Sequence, residues 1–164
     1  MLSTLKVVVA IGAGVMAVSQ SAQAQGLVTE KALPLAMAQT IANGAMDACK
    51  AMGYKVSVAV VDRAGLTMVM LRGDGAGLHT PEGAERKAYT AQTYHAPSAD
   101  FLKRMQRDPA AHASETYSHV LALAGGLPIK AGNDVIGSVG VSGSPGKDDD
   151  CGQAGIDKVA DQLK

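Results

Sequence analysis

The stretch VSVAVVDRAGLTMVMLRGDG, residues 56–75, decides the fold because it predicts a β-hairpin that opens into a glycine-rich loop. Valines alternate with small residues over 56–61, and residues 62–65 supply a turn whose glycine tolerates a positive φ. The second strand, residues 66–72, leads directly into Gly73-Asp74-Gly75. Both faces of the hairpin are largely apolar, so we expect its middle to be covered on both sides.

A long amphipathic helix is predicted immediately before the hairpin. Apolar residues recur at helical spacing from Leu33 to Met52, with Thr29 as a candidate N-cap and Gly53 at the end of the helix. Gly44 falls on the apolar face of this helix. A glycine at that position indicates close contact with a neighbouring element.

Helices and short strands follow the glycine-rich loop. One helix is predicted from Pro81 to about His95, and Ser98 is a candidate N-cap for a second, shorter helix. A final helix begins at the acidic run 148–150, which complements its dipole, and carries apolar residues as far as Leu163. Between these helices we expect strands at 120–124, 127–130 and 135–142. This order, with short hairpin connections, predicts an α+β fold: an antiparallel β-sheet flanked by helices.

The last predicted strand contains Gly137, Gly140 and Gly143. Glycine weakens strand interiors, so its repetition indicates that another backbone or a ligand approaches the strand closely. Bulges or tight helix packing are the simpler interpretation.

The first 24 residues have the pattern of a secretory signal peptide. Lys6 precedes an apolar run over 7–18, and Ala22-Gln23-Ala24 is a small-x-small cleavage site. The apolar run is shorter than the roughly 20 residues that a membrane-spanning helix needs. An uncleaved amphipathic anchor is the alternative. We therefore expect a periplasmic or secreted protein without a membrane span, in which residues 25–164 form a single domain.

Composition argues against nucleic acid as a partner. The 15 Lys and Arg residues balance the 15 Asp and Glu residues, and no long basic run occurs. Only two cysteines are present, Cys49 and Cys151. They either pair in an oxidising compartment or lie buried as small apolar side chains. Neither belongs to a CxxC motif, so a zinc site has little support.

The sequence lacks the motifs of common catalytic sites. Gly143-Ser144-Pro145-Gly146 does not have the G-x-S-x-G spacing of a nucleophile elbow. The glycines over 73–77 match neither G-x-G-x-x-G nor the P-loop pattern, so a tight turn is their simplest interpretation. Without a recognisable nucleophile, base and orienting residue, an enzymatic function has no support.

Several side chains are candidates for binding a ligand. No two of the four histidines have H-x-x-x-H spacing, and His79 has the best position because it follows the glycine loop and precedes a helix. Lys87 falls on the alanine-lined side of its helix. It either extends to the rim, pairs with an acid, or binds an anionic group such as a propionate. Arg72 and Asp74, at the end of the strand, are further candidates, with simple solvation as the alternative for Asp74.

Several ordered segments carry a resemblance to a known family. They are VSVAVVDRAG, LRGDGAG, AERKAYTA, GGLPIKAGNDVIGSVGVSG and DDDCGQAGI. Together they resemble the GlcG/HbpS-like family, which includes the C-terminal domain of PduO proteins, across essentially the whole mature chain. The resemblance implies a profilin-like fold, with the hairpin as the central pair of the sheet, and assembly into homo-oligomers. Some members bind haem, and others accompany glycolate or diol metabolism.

The resemblance and the signal peptide lead us to expect a haem-binding protein that takes part in haem or iron sensing or handling. The loop 73–79 and the helix 84–94 would border the haem, with Arg72, Asp74 and Lys87 as contacts. His79, which would bind the iron, and Tyr89 or Tyr94 are haem-ligand types that we propose from this sequence alone. The scarcity of large aromatic residues favours haem at a surface or a subunit interface. The alternative is an accessory module that binds a small organic acid or a partner enzyme, with Arg72 and Lys87 as anion contacts.

Overall fold

A computed structural model describes residues 26–164, so the predicted signal peptide lies outside the described residues. The helices are α1 (Leu35–Ala51), α2 (Thr80–Tyr94), α3 (Ser98–Arg107), α4 (Pro109–His112) and α5 (Asp148–Asp157). The strands are β1 (Ser57–Asp62), β2 (Thr67–Arg72), β3 (Gly126–Ala131) and β4 (Asp134–Ser142). Two short 3₁₀ turns cover Ala113–Thr116 and Ala160–Gln162. No helix within the described part of the chain is long and apolar enough to cross a membrane.

The four strands form one antiparallel sheet in the order β2-β1-β4-β3. The predicted α+β fold, an antiparallel sheet flanked by helices, is therefore confirmed. The predicted position of the hairpin within the sheet is wrong, because β1 has a second partner in β4 and leaves β2 at the edge. Residues 57–61 of β1 are buried, whereas β2 is half-exposed, so coverage on both sides holds only for β1.

One face of the sheet is covered by α1 and α5. Valines of β1 and β4 form the main core with Ile41 of α1 and Ile129 of β3. The two helices touch through glycine, since a Cβ atom added at Gly44 would lie 3.1 Å from the Cα of Gly155. A disulfide between Cys49 and Cys151 joins the same helices. Pairing of the cysteines, left open by the sequence, is therefore observed.

The opposite face of the sheet is covered by α2, which approaches β4 unusually closely. A Cβ atom at Gly140 would overlap the carbonyl oxygen of Ala84 and lie 2.7 Å from the amide nitrogen of Ala88. Gly126 on β3 meets the carbonyl oxygen of Lys87 in the same way. Tight helix packing thus explains the glycine in the middle of β4.

Two local predictions were wrong for identifiable reasons. Residues 120–124 form no strand, because Val120 and Ala122 pack in a second cluster under α3 and the amide of Leu121 donates to Thr90 Oγ1 at 2.8 Å. Ser98 does not cap α3. Its hydroxyl instead donates to the carbonyl oxygen of Leu123 and accepts the amide of Gly126.

The predicted ends of the first and last helices were also inaccurate. Thr29 is not the cap of α1, since Pro34 holds an extended backbone and the helix begins only at Leu35. The last helix ends at Asp157, and a separate 3₁₀ turn follows at Ala160–Gln162. Its start is confirmed, with the three acids of 148–150 in the first turn.

Candidate functional site

A cavity opens at one end of the sheet, between the C-terminal end of α1 and the end of β2. Its volume is about 510 Å³, within the usual range for small-molecule sites. We call it the α1–β2 cleft. It is lined by Met46, Lys50, Gly53, Tyr54, Lys55, Val56, Leu71, Arg72, Gly73 and Asp74.

The turn after α1 builds one wall of the cleft. Gly53 adopts a φ of 82°, which glycine tolerates best, and its amide donates to the carbonyl oxygen of Lys50 at 2.9 Å. The amide of Tyr54 then donates to the carbonyl oxygen of Cys49 at 3.0 Å. These bonds reverse the chain into β1, so that Tyr54 and Lys55 lie in the wall.

The opposite wall depends on Gly73. Its amide donates to the carbonyl oxygen of Val56 at 2.9 Å, which continues the hairpin pairing into the loop. A Cβ atom at Gly73 would lie 3.0 Å from that oxygen and 3.4 Å from Met46 Sδ. Glycine therefore keeps this side of the cleft open.

Basic side chains dominate the charged lining. Lys50, Lys55 and Arg72 face a single acid, Asp74. The Arg72 guanidinium donates to the carbonyl oxygen of Ala76 at 2.8 Å and so braces the glycine loop. The half-buried side chains of Met46 and Leu71 provide apolar surface beside these charges. The arrangement suits a ligand with an apolar body and anionic groups at its edge.

Lys87 belongs to a buried ion pair and not to the cleft. Its ammonium lies 2.7 Å from Asp148 Oδ2 and donates to the carbonyl oxygen of Val141 at 3.0 Å. The other carboxylate oxygen of Asp148 accepts the amide and the hydroxyl of Ser144, at 2.9 Å and 2.6 Å. Of the three interpretations of Lys87, pairing with an acid is therefore observed. Nearby on the surface, the hydrogen bond to Asp150 raises the pKa of Lys147 and keeps its ammonium charged.

The remaining predicted residues lie in different places. His79 is exposed just before α2, with its ring beside Gly77. The ring of Tyr89 lies 5.2 Å from that of His119, and Tyr94 stacks on Phe101 at 4.0 Å.

The structure thus brings Arg72 and Asp74 together at the cleft and places His79 on the loop that continues from them. Lys87, Tyr89 and Tyr94 are not part of the cleft lining. Within residues 26–164 no three His, Cys, Asp or Glu side chains cluster as metal ligands.

The sequence interpretation missed Met46, Lys50, Tyr54 and Lys55. A signal for them exists in the segment KAMGYK, residues 50–55, where two lysines and a tyrosine surround the glycine that ends α1. This segment alone does not indicate a binding site. It does so only together with Arg72, which reaches the same end of the sheet because β2 lies beside β1.

Known proteins resemble the chain over most of its length. The profile of the family described as "Haem degrading protein HbpS-like" matches residues 33–157. No curated protein matches the chain. A double mutant of HbpS from Streptomyces reticuli is 37% identical, covers 85% of this chain and 96% of its own, and superposes with a TM-score of 0.76.

Two further solved structures are similar. The protein ORFY from Klebsiella pneumoniae is 25% identical, with 87% of this chain and 98% of its own covered and a TM-score of 0.76. A complex of PduOC with heme is 26% identical, with 78% of this chain and 95% of its own covered and a TM-score of 0.71.

Proposed function

The chain belongs to the HbpS-like family, and from this premise we propose that it binds haem in the α1–β2 cleft. One related structure is a complex with heme. The observation that carries the proposal is the combination, in one cleft of about 510 Å³, of an apolar surface with three basic side chains.

The residues of the cleft fit the chemistry of haem. Haem has an apolar macrocycle, for which Met46 and Leu71 provide the contact surface, and two carboxylates. Lys50 and Lys55 would hold those carboxylates by charge-assisted hydrogen bonds. Iron ligands of known types are at hand in the thioether of Met46 and the phenol of Tyr54, with the imidazole of His79 on the adjoining loop. When bound, haem supplies an iron centre, and this chain contributes binding, orientation and local charge.

Titration of the purified protein with hemin tests the proposal. We expect a shifted Soret band for the wild type and about tenfold weaker binding for the double variant Lys50→Gln/Lys55→Gln, a loss of about 1.4 kcal/mol. Lys103→Gln, which alters an exposed lysine on α3, is the matched control and should bind as the wild type does. Absence of a Soret shift, or equal affinities for the double variant and the control, would contradict the proposal. Decay of the Soret band after binding would point to haem degradation.

The second candidate is an accessory module for a small organic acid or a partner enzyme. Arg72 and Lys87 were its predicted anion contacts. Because Lys87 is held by Asp148, Lys50 and Lys55 are the better companions for Arg72. Thermal stabilisation by glycolate and not by hemin would favour this candidate.

We further propose that the protein is periplasmic or secreted and serves haem or iron sensing or handling. Support comes from the signal-peptide pattern of residues 1–24 and from the disulfide, which persists in oxidising compartments. Cell fractionation tests the location. A homo-oligomer is supported by the family resemblance, and sedimentation velocity tests it.

A further inference from the structure

The disulfide lies directly behind one wall of the α1–β2 cleft. Cys49 sits in the last turn of α1, between Met46 and Lys50, which both line the cleft. The carbonyl oxygen of Cys49 accepts the amide of Tyr54, so the same residue also fixes the turn that follows. Both cysteine residues are fully buried. The disulfide therefore anchors the segment that supplies Met46, Lys50, Gly53 and Tyr54 to the cleft.

Close packing in the middle of the helix pair fixes the spacing of α1 and α5 there. There α1 and α5 are in backbone contact: a Cβ atom at Gly155 would overlap the carbonyl oxygen of Ile41 and lie 3.0 Å from the amide nitrogen of Ala45. If the disulfide opens, the sulfurs must move from bonding distance to van der Waals distance. The displacement then falls on the helix ends that carry the cysteines, the first turn of α5 and the last turn of α1, and the latter is the wall of the cleft.

A hydrogen-bond partner is already in place for the opened state. Ser144 Oγ lies 3.2 Å from Cys49 Sγ and 3.9 Å from Cys151 Sγ. Its hydroxyl donates to Asp148, so its lone pairs are available to accept an S–H group. A buried thiol at position 49 would thus not lack a hydrogen-bond partner.

We propose that the Cys49–Cys151 disulfide positions the α1 wall of the α1–β2 cleft, and that its reduction weakens binding of the anionic ligand held there. The inference rests on the proposed function. In the reduction, a dithiol gives two electrons and two protons to the disulfide, which becomes two thiols while the dithiol closes to its own disulfide. Because binding and reduction are linked, an occupied cleft stabilises the disulfide by the same factor.

The test compares hemin affinity in two redox forms of the protein. The wild type is measured oxidised, and again after reduction with a dithiol that is removed by anaerobic gel filtration before hemin is added. The double variant Cys49→Ser/Cys151→Ser supplies a permanently open form that needs no reductant. We expect both open forms to bind hemin at least tenfold more weakly than the oxidised protein while they keep the native circular dichroism.

A variant that is destabilised outside the cleft tests whether weaker hemin binding comes from displacement of the α1 wall or from lower stability of the whole fold. Phe101→Leu weakens the second cluster, which shares no residue with the cleft lining, and should leave hemin affinity unchanged. Equal affinities of the open and oxidised forms would overturn the inference and leave the proposed function standing. Unfolding of both open forms would also overturn it, because the disulfide would then serve the whole fold and not the wall. Failure of the oxidised wild type to bind hemin would instead contradict the proposed function.

Discussion

At the scale of single residues, the buried pair of Lys87 and Asp148 predicts a large effect on stability. Their side chains are only 6% and 11% exposed. Replacing Lys87 by methionine removes the ammonium and leaves a buried carboxylate with only the Ser144 hydrogen bonds. We expect Lys87→Met to lower the free energy of unfolding by about 3–5 kcal/mol, measured by urea denaturation.

A second substitution identifies the cause of that loss. Adding Asp148→Asn removes the uncompensated charge, so the double variant should be more stable than Lys87→Met alone. Lys103→Met, at an exposed lysine, is the control and should have the stability of the wild type. If the double variant loses as much as the two single changes added together, the pair is not coupled and the explanation is wrong.

Lys87 also shows which part of the structure could be predicted from the sequence. Its place on an alanine-lined helix face marked it as unusual, but three interpretations remained open: extension to the rim, an ion pair with an acid, and an anionic ligand. The choice among them depends on Asp148, which is 61 positions later in the chain and reaches Lys87 only because α5 begins beside the end of β4. Residue type and helical period identify such a side chain, whereas its partner is a property of the tertiary fold.

At the scale of elements, the close contact between α2 and β4 predicts that β4 cannot accept a larger residue at its centre. Alanine at Gly140 would place a methyl group against the backbone of α2 at Ala84 and Ala88. Backbone cannot move aside as a flexible side chain can, so α2 must shift away from the sheet. We expect Gly140→Ala to lower the unfolding free energy by about 1–3 kcal/mol or more, measured by thermal and urea denaturation.

The matched control for this change is Gly26→Ala, where an added Cβ atom meets nothing within 4 Å. It should leave stability unchanged. A Gly140→Ala variant as stable as the control would mean that α2 and β4 pack less closely than the structure describes.

The glycines of β4 show that a local sequence pattern can predict close packing of an element, although it does not predict the order of the strands. Their repetition indicated a close approach, and helix packing proved to be its cause at Gly140. The position of β2 at the edge was not predictable from the hairpin itself, because each strand of a hairpin has one free edge at which a further strand can pair. The error at 120–124 is similar, since Val120 and Ala122 are buried by α3 and not by strand pairing.

At the scale of the whole molecule, the disulfide closes a loop of 102 residues and so restricts most of the unfolded chain. A cross-link over a loop of this length contributes about 4–5 kcal/mol by lowering the entropy of the denatured state. We expect the Cys49→Ser/Cys151→Ser variant to have a lower urea midpoint than the oxidised protein. Its dependence on urea should also be steeper, because the unlinked chain exposes more surface when it unfolds. The midpoint and the slope come from the same equilibrium denaturation curve.

Treatment of the oxidised protein with a thiol-alkylating reagent is the control. It should change neither the midpoint nor the slope, since no free cysteine is present in residues 26–164. An unchanged midpoint and slope in the variant would mean that the denatured chain gains no freedom without the bond.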